Sequence, residues 1–304
     1  ILPDRINYTL INNHKVFSKI YKYKKFNAQK ELKNWNKDFT FREYANIHWE
    51  KIKQEDLVNS WFHWEDFIAI LATWGWKSLC FQLPALARAE SSWFLTLVIS
   101  PLQSLMDDQV SNLKYKYNKT NVWALHSALD PLTKKEVCEK IEHWWIDLLY
   151  LSPEMLRSPS TQRLLSKRHI DRLVIDEAHC FSKRWHDFRI DYMFIADFIK
   201  ELWKEKSQYF NPSIKDISIS CFTATAKQEV VEEIKTYFKN HFWKELKEYK
   251  STAKRENLHY EAYNVENWTK KFDTLMEILE NRVDTKSCII FTRYTWQNKS
   301  MWRM

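Results

Sequence analysis

Apolar and polar positions alternate in blocks along most of the chain. Phe67-Ile-Ala-Ile-Leu71 is an unbroken apolar run, the pattern of a strand buried on both faces. Lys77–Ala89 then reads as a helix. Leu95-Thr-Leu-Val-Ile99 is a second strand, and a helix from Pro101 to Leu113 follows it, with proline in the first turn, where a missing N–H costs nothing. Val122–Leu125, Ile146–Leu151, Leu173–Ile175 and Ile217–Phe222 read as further strands, with helices at Leu132–Glu142 and Lys227–Tyr237. This alternation predicts an α/β fold, a parallel sheet with helices on both faces. Upstream, Ile6–Ile11 reads as a short strand and the rest of residues 1–45 as helical, with no motif. Downstream of Lys250 come a linker-like stretch, a helix around Phe272–Leu279 and a strand at Cys288–Phe291, which begins a second domain that is cut short. The expected division is an accessory segment (1–45), a first domain (46–248) and a linker with the start of a second domain (249–304). No internal repeat is evident.

Composition bounds the class. Hydrophobic residues make up 45% of the 304, enough for a sizeable core, and no run reaches the ~18 apolar residues of a membrane span. The start lacks the basic and apolar regions of a signal peptide and an initiator Met, so the chain reads as a fragment. A formal charge of +8 suits a polyanionic partner, and equally suits lysine-rich coding in an AT-rich genome. Cys80, Cys138, Cys180, Cys221 and Cys288 have no paired spacing, which argues against a zinc site or disulfide framework and fits a reducing cytosol. One feature is abnormal: a single Gly against 16 Trp. Average usage would give about 7% Gly, because turns and helix C-caps call for positive φ. Tryptophans therefore stand where glycines belong.

Two motifs carry chemistry. Thr73-Trp74-Gly75-Trp76-Lys77-Ser78 lies between a strand and a helix, the context of a phosphate-binding loop. Lys77 would reach the β- and γ-phosphates of ATP and Ser78 would bind Mg²⁺. Trp74 and Trp76, as written, put indoles where phosphate must sit. Asp176-Glu177-Ala178-His179 follows an apolar strand, at the end of a sheet where ligands bind. Asp176 would hold Mg²⁺, Glu177 would polarise the attacking water, and His179 would couple this site to the rest of the molecule.

The sequence from 73 to 85, Thr-Trp-Gly-Trp-Lys-Ser-Leu-Cys-Phe-Gln-Leu-Pro-Ala, resembles the first motif of RecQ helicases, usually Thr-Gly-Gly-Gly-Lys-Ser. Val98–Leu105 with Asp108-Gln109-Val110 resembles motif Ia, Leu149–Glu154 motif Ib, and Val174–Cys180 motif II. His186-Asp-Phe-Arg189 with Asp191-Tyr192 resembles the family's aromatic-rich loop, Phe222–Ala226 motif III, and Ile289–Arg293 the start of motif IV. The likeness covers residues 50 to 300 in order.

It implies a RecA-like first domain and the truncated start of a second, an ATP- and Mg²⁺-dependent helicase moving 3′ to 5′ on DNA, and a cytoplasmic, nucleoid-associated setting. Gln54 matches the adenine-reading glutamine, with Lys51 and Lys53 as candidates for its basic neighbour. Single-stranded and forked DNA is the implied partner, gripped without base specificity through Ser100, Pro101, Gln103, Ser104, Ser152 and Pro153, with His186, Phe188 and Arg189 contacting bases. Thr223, Ala224 and Thr225 would couple hydrolysis to movement.

The sequence departs from the family at Lys183-Arg184, where Gln-Trp is usual, and at Ile190, where Pro is common. Phe181 and Phe188 are candidates to supply the missing stacking. Trp64, Trp74, Trp76 and Trp185 fall on family glycines, and Trp144-Trp145 suits a Gly-Gly turn. A UGA codon read as glycine in the organism, but translated as Trp, would produce this pattern. The alternatives are an ATP-dead nucleic-acid-binding module, if the tryptophans are genuine, and an RNA-directed helicase of the same superfamily.

Overall fold

The computed structural model describes residues 26–45, 51–71, 77–90, 94–181, 191–206, 217–224, 227–251, 261–264 and 268–280. The expected strands at Ile6–Ile11 and Cys288–Phe291 lie outside these residues. The chain forms two compact units, Ile1–Lys254 and Arg255–Met304. In the second, one amphipathic helix is described, Trp268–Glu280.

The first unit opens with α1 (Ala28–Trp35), the short antiparallel pair β1 (Glu43–Ala45) and β2 (Lys51–Lys53), and α2 (Gln54–Phe62). There follow β3 (Phe67–Ile70), α3 (Leu79–Ala89), β4 (Leu95–Ile99), α4 (Gln103–Tyr117), β5 (Val122–Leu125), α5 (Pro131–Glu142) and β6 (Leu148–Leu151). A 3₁₀ turn (Pro153–Arg157) leads to α6 (Pro159–Ser166), β7 (Ile170–Ile175) and a second 3₁₀ turn (Ala178–Phe181). Last come α7 (Ile195–Lys206), β8 (Ser218–Thr223), α8 (Gln228–Phe242) and β9 (Lys247–Lys250).

Seven strands form one parallel sheet in the order β5-β6-β4-β7-β8-β3-β9. The apolar runs are buried on both faces because successive side chains point oppositely. Ile68, Leu97, Leu149, Leu173 and Ile219 face one core, shared with Val137 of α5, Leu165 of α6, Phe198 of α7 and Ile234 of α8. Phe67, Ala69, Val98, Val174 and Phe222 face the other, shared with Leu57 of α2, Phe81 of α3 and Met106 of α4. Leu32 of α1 packs outside that layer on Val58 and Leu83. β9 was not expected: the boundary placed at 248 falls inside this strand, which pairs with β3. No described helix is long and apolar enough to cross a membrane.

The strand order divides the carboxyl edge into two halves. β7, β8 and β3 are neighbours, so Asp176, Thr223 at the end of β8, and Lys77 share one patch. β5, β6 and β4 are neighbours on the other side, which groups the loops carrying Ser127, Ser152 and Ser100.

Candidate functional site

In the first half, Lys77 and Ser78 lead directly into α3, with Ser78 at its N-cap and its hydroxyl free of any cap bond. Lys77 Nζ lies 3.2 Å from Glu177 Oε1. Glu177 Oε2 is 3.1 Å from His179 Nδ1, which lies 3.0 Å from Thr223 Oγ1. Four expected residues from the ends of three adjacent strands thus form one polar chain. Burial alone would raise the Glu177 carboxyl, but His179 and the Lys77 ammonium outweigh it and hold the group below its ordinary range. His179, bonded to Cys180 and Glu177, is raised to about 9 and is an imidazolium at neutral pH.

Asp176 sits behind this chain, 9% exposed, and burial pushes it up to about 6 despite Lys77. Its Oδ1 accepts the Glu177 N–H at 3.0 Å, and the Tyr192 hydroxyl donates to its carbonyl at 3.3 Å. Glu177 has φ 48°, the left-handed region that costs a residue with a side chain about 1–3 kcal/mol. Among the described residues the buried Asp176 carboxylate accepts one N–H and the Ser78 hydroxyl makes no cap bond, and oxygens of these two kinds fit magnesium, which takes one or two protein oxygens and completes its shell with phosphate and water. Among the described residues no group of three or more His, Cys, Asp or Glu is arranged to hold a metal ion by itself.

Gln54 is buried, at the first position of α2. Its Oε1 accepts the Arg42 N–H at 3.2 Å, and its side chain also bonds Cys80 on α3. Lys53 is exposed and 3.9 Å from Glu43. Ala224 is buried. Thr73, Trp74, Gly75, Trp76, Trp185, His186, Phe188, Arg189 and Thr225 lie outside the described residues, as do Lys183, Arg184 and Ile190.

In the second half two expectations are corrected. Backbone N–H groups at 100 and 152 were expected to serve phosphate. They instead extend the sheet, Ser100 donating to Leu151 O and Ser152 to Leu125 O, while Pro101 and Pro153 have no N–H. The Ser100 hydroxyl is also buried. What remains is Gln103 and Ser104 at the first turn of α4, whose N-cap, Leu102, has no side chain to satisfy the free N–H groups. Phe181 is not a stacking surface: it is 3% exposed and packs on Tyr192, Tyr237 and Phe238.

Three side chains that join these loops escaped the sequence reading. Gln82, buried on α3, donates to Gln109 of α4 at 2.8 Å and to Tyr150 of β6 at 2.7 Å, so it ties the phosphate-loop helix to the other half of the edge. Arg157 pairs with Asp191, joining the turn after β6 to the segment that bears Tyr192. Ser127 bonds Glu154. Polar residues on loops and helix faces read as solvated, and no periodicity marks their partners.

A parallel sheet with a phosphate-loop lysine facing an acidic strand end defines a nucleotide-dependent motor class. A DEAD/DEAH box helicase model matches residues 51–234, and the chain belongs to that family. Within it, the chain is 34% identical over 229 residues to the probable ATP-dependent DNA helicase RecS of Bacillus subtilis, covering 75% of this chain and 42% of RecS. It is 33% identical over 267 residues to the ATP-dependent helicase SGS1 of Saccharomyces cerevisiae, covering 84% of this chain and 17% of SGS1. These relatives are of RecQ type, and the chain spans less than half the length of either. The DUF1998 helicase MrfA superposes with a TM-score of 0.62 at 18% identity, covering 90% of this chain and 39% of MrfA, a likeness of fold.

Proposed function

We propose that this chain is the first motor domain, with the start of the second, of a RecQ-like helicase that hydrolyses ATP with Mg²⁺ to move 3′ to 5′ along single-stranded DNA and open forked duplexes in repair or recombination. The reading includes a cytoplasmic, nucleoid-associated setting. The observation that carries it is the Lys77–Glu177–His179–Thr223 chain in front of buried Asp176.

Each residue's part follows from its chemistry. Lys77 is paired with Glu177 in the free protein and transfers its charge to the triphosphate of the substrate. Glu177, released from Lys77 but still held by His179, orients the attacking water. Magnesium, when bound, supplies positive charge to the phosphate oxygens, and the Ser78 hydroxyl and Asp176 carboxylate are the protein oxygens that would hold it. Thr223, at the far end of the chain, registers the change in Glu177 at the end of β8. The loop before Lys77 works with glycine at 74 and 76.

The test is DNA-stimulated ATP hydrolysis by the longer protein carrying glycine at 74 and 76. Stimulation lost on Lys77→Ala supports the motor. No stimulation, with Lys77→Ala equal to its parent, leaves an ATP-dead binding module. Greater stimulation by RNA than by DNA makes it an RNA-directed helicase.

A further inference from the structure

Side chains from three strand-end loops close on one another in the β5–β6–β4 half. Gln103 Nε2 donates to Ser127 Oγ at 3.0 Å and to Glu154 Oε1 at 3.5 Å. Ser127 Oγ donates to the same Glu154 oxygen at 2.9 Å, and Ser152 Oγ at 2.7 Å. A hydroxyl has one proton to give and a carboxamide two. All the donor protons of Gln103, Ser127 and Ser152 are therefore spent inside the cluster, three of them on one carboxylate oxygen. The cluster lies at the first turn of α4, whose uncapped N–H groups and dipole favour an anion. Glu154 puts an anionic oxygen where the backbone of a bound strand would put one. Burial opposes its ionisation, yet the bonds from Ser152, Ser127 and Gln103 prevail and hold the carboxyl below its usual range. Glu154 is exposed, so it can swing away without disturbing the core.

We infer that Glu154, anchored by the buried Ser152 hydroxyl, is a positioning residue and built-in competitor: it keeps Gln103 and Ser127 assembled in the strand-free protein and yields them to a nucleic-acid phosphate, which makes Ser127 a further strand-contacting residue. This rests on the reading of this edge as the strand-binding one. The relief of an internal anion is a cost that a bound strand must meet, so it sets how readily the strand is released.

The test is fluorescence-anisotropy titration of the whole chain with a labelled oligothymidylate. Glu154→Ala frees the donors and tightens binding about tenfold, whereas Glu154→Gln removes the charge but keeps a carbonyl acceptor and tightens it about threefold or less. In a Ser127→Ala background the extra gain of alanine over glutamine shrinks, the coupling expected of groups in one network. Asp108→Asn, on α4 outside the cluster, controls for charge and gives no more than Glu154→Gln. Equal gains for alanine and glutamine, an undiminished alanine gain without Ser127, or weaker binding by Glu154→Ala each overturn the inference. A parent that binds while these variants show no gain defeats this inference alone; a parent that does not bind defeats the strand-binding reading with it.

Discussion

The two edges of the sheet use the same ingredients to opposite ends. At the amino edge, Trp64, Asn118, Trp144 and Trp243 adopt left-handed backbone, with φ of 60°, 53°, 63° and 57°, and each ends a helix that leads into β3, β5, β6 or β9. Glu65 N–H to Ser60 O and Trp145 N–H to Lys140 O close the six-residue loop that such caps use. At the carboxyl edge the one left-handed residue among those described is Glu177. Buried charge divides likewise. Near the amino edge, Arg88 and Asp171 pair at 2.8 Å with both side chains 2% exposed. Arg172 gives its protons to Glu65 O, Trp61 O and Ser220 Oγ, and Arg168 to Ile141 O and Ile146 O. At the carboxyl edge Asp176 accepts one N–H among the described residues, and its carboxyl is raised by burial. At the amino edge most of these charged protons have a partner inside the protein, the Nε atoms of Arg168 and Arg172 excepted, and strain and charge serve shape. At the carboxyl edge the strained and acidic residues are those of the proposed nucleotide site.

The comparison can be broken first at Asp171. Asp171→Ala strands Arg88 in the core and should cost about 3–5 kcal/mol in urea unfolding. A loss of under about 1 kcal/mol would mean the amino edge is not closed as described. Asp176→Asn should do the reverse. Its folded pKa is raised, from 3.8 to about 6, so its contribution is full below pH 3.8 and is lost as pH rises through about 6. The Asn variant should match its parent near pH 3.8 and be more stable by about 3 kcal/mol above the folded pKa. Magnesium with nucleotide should narrow that gap in melting experiments. The smallest effects concern backbone. Trp243 is 90% exposed, so Trp243→Gly removes left-handed strain at little packing cost and should stabilise by about 1 kcal/mol. Trp64→Gly should gain less, since the Trp64 indole covers the Arg88 guanidinium at 3.9 Å. Glu177→Gly should show no such gain in thermal melts, because it relieves the strain but leaves Lys77 and His179 without their carboxylate, and it should abolish turnover, which separates strain kept for shape from strain kept for chemistry.

Much of this was legible in the sequence. β3 and β4 are apolar because both faces are covered, so each could be seen as a run, whereas β7 showed only its Leu173–Ile175 half because Asp171 and Arg172 precede it. β9 could not: Lys-Glu-Tyr-Lys sits at the sheet's edge, exposed or half-buried throughout, and its pattern is that of a loop. Lys77, Asp176, Glu177 and His179 were visible as motifs tied to strand ends. The bonds among them, and those of Gln82 and Glu154, depend on which strands are neighbours, which no local pattern carries. The left-handed caps at 64 and 144 fall where the odd excess of tryptophan had already pointed to glycine. Trp61 is the counter-example: it is buried with Arg88 and Arg172 each 4.7 Å from its ring, although its Nε1 has no hydrogen-bond partner among the described residues.

The position of β3 has a consequence for how the protein is made. It carries the phosphate loop at its end, yet it lies between β8 and β9, and Asp66 beside it accepts the N–H of Ile219, 153 positions further along. A ribosome adding about 5–20 residues per second leaves β3 without its neighbours for many seconds, an apolar strand with two open edges. The strand that emerges first must wait for the one that completes its pairing, so the nascent chain needs shielding, by a chaperone or by α2 and α3 folding early over one face.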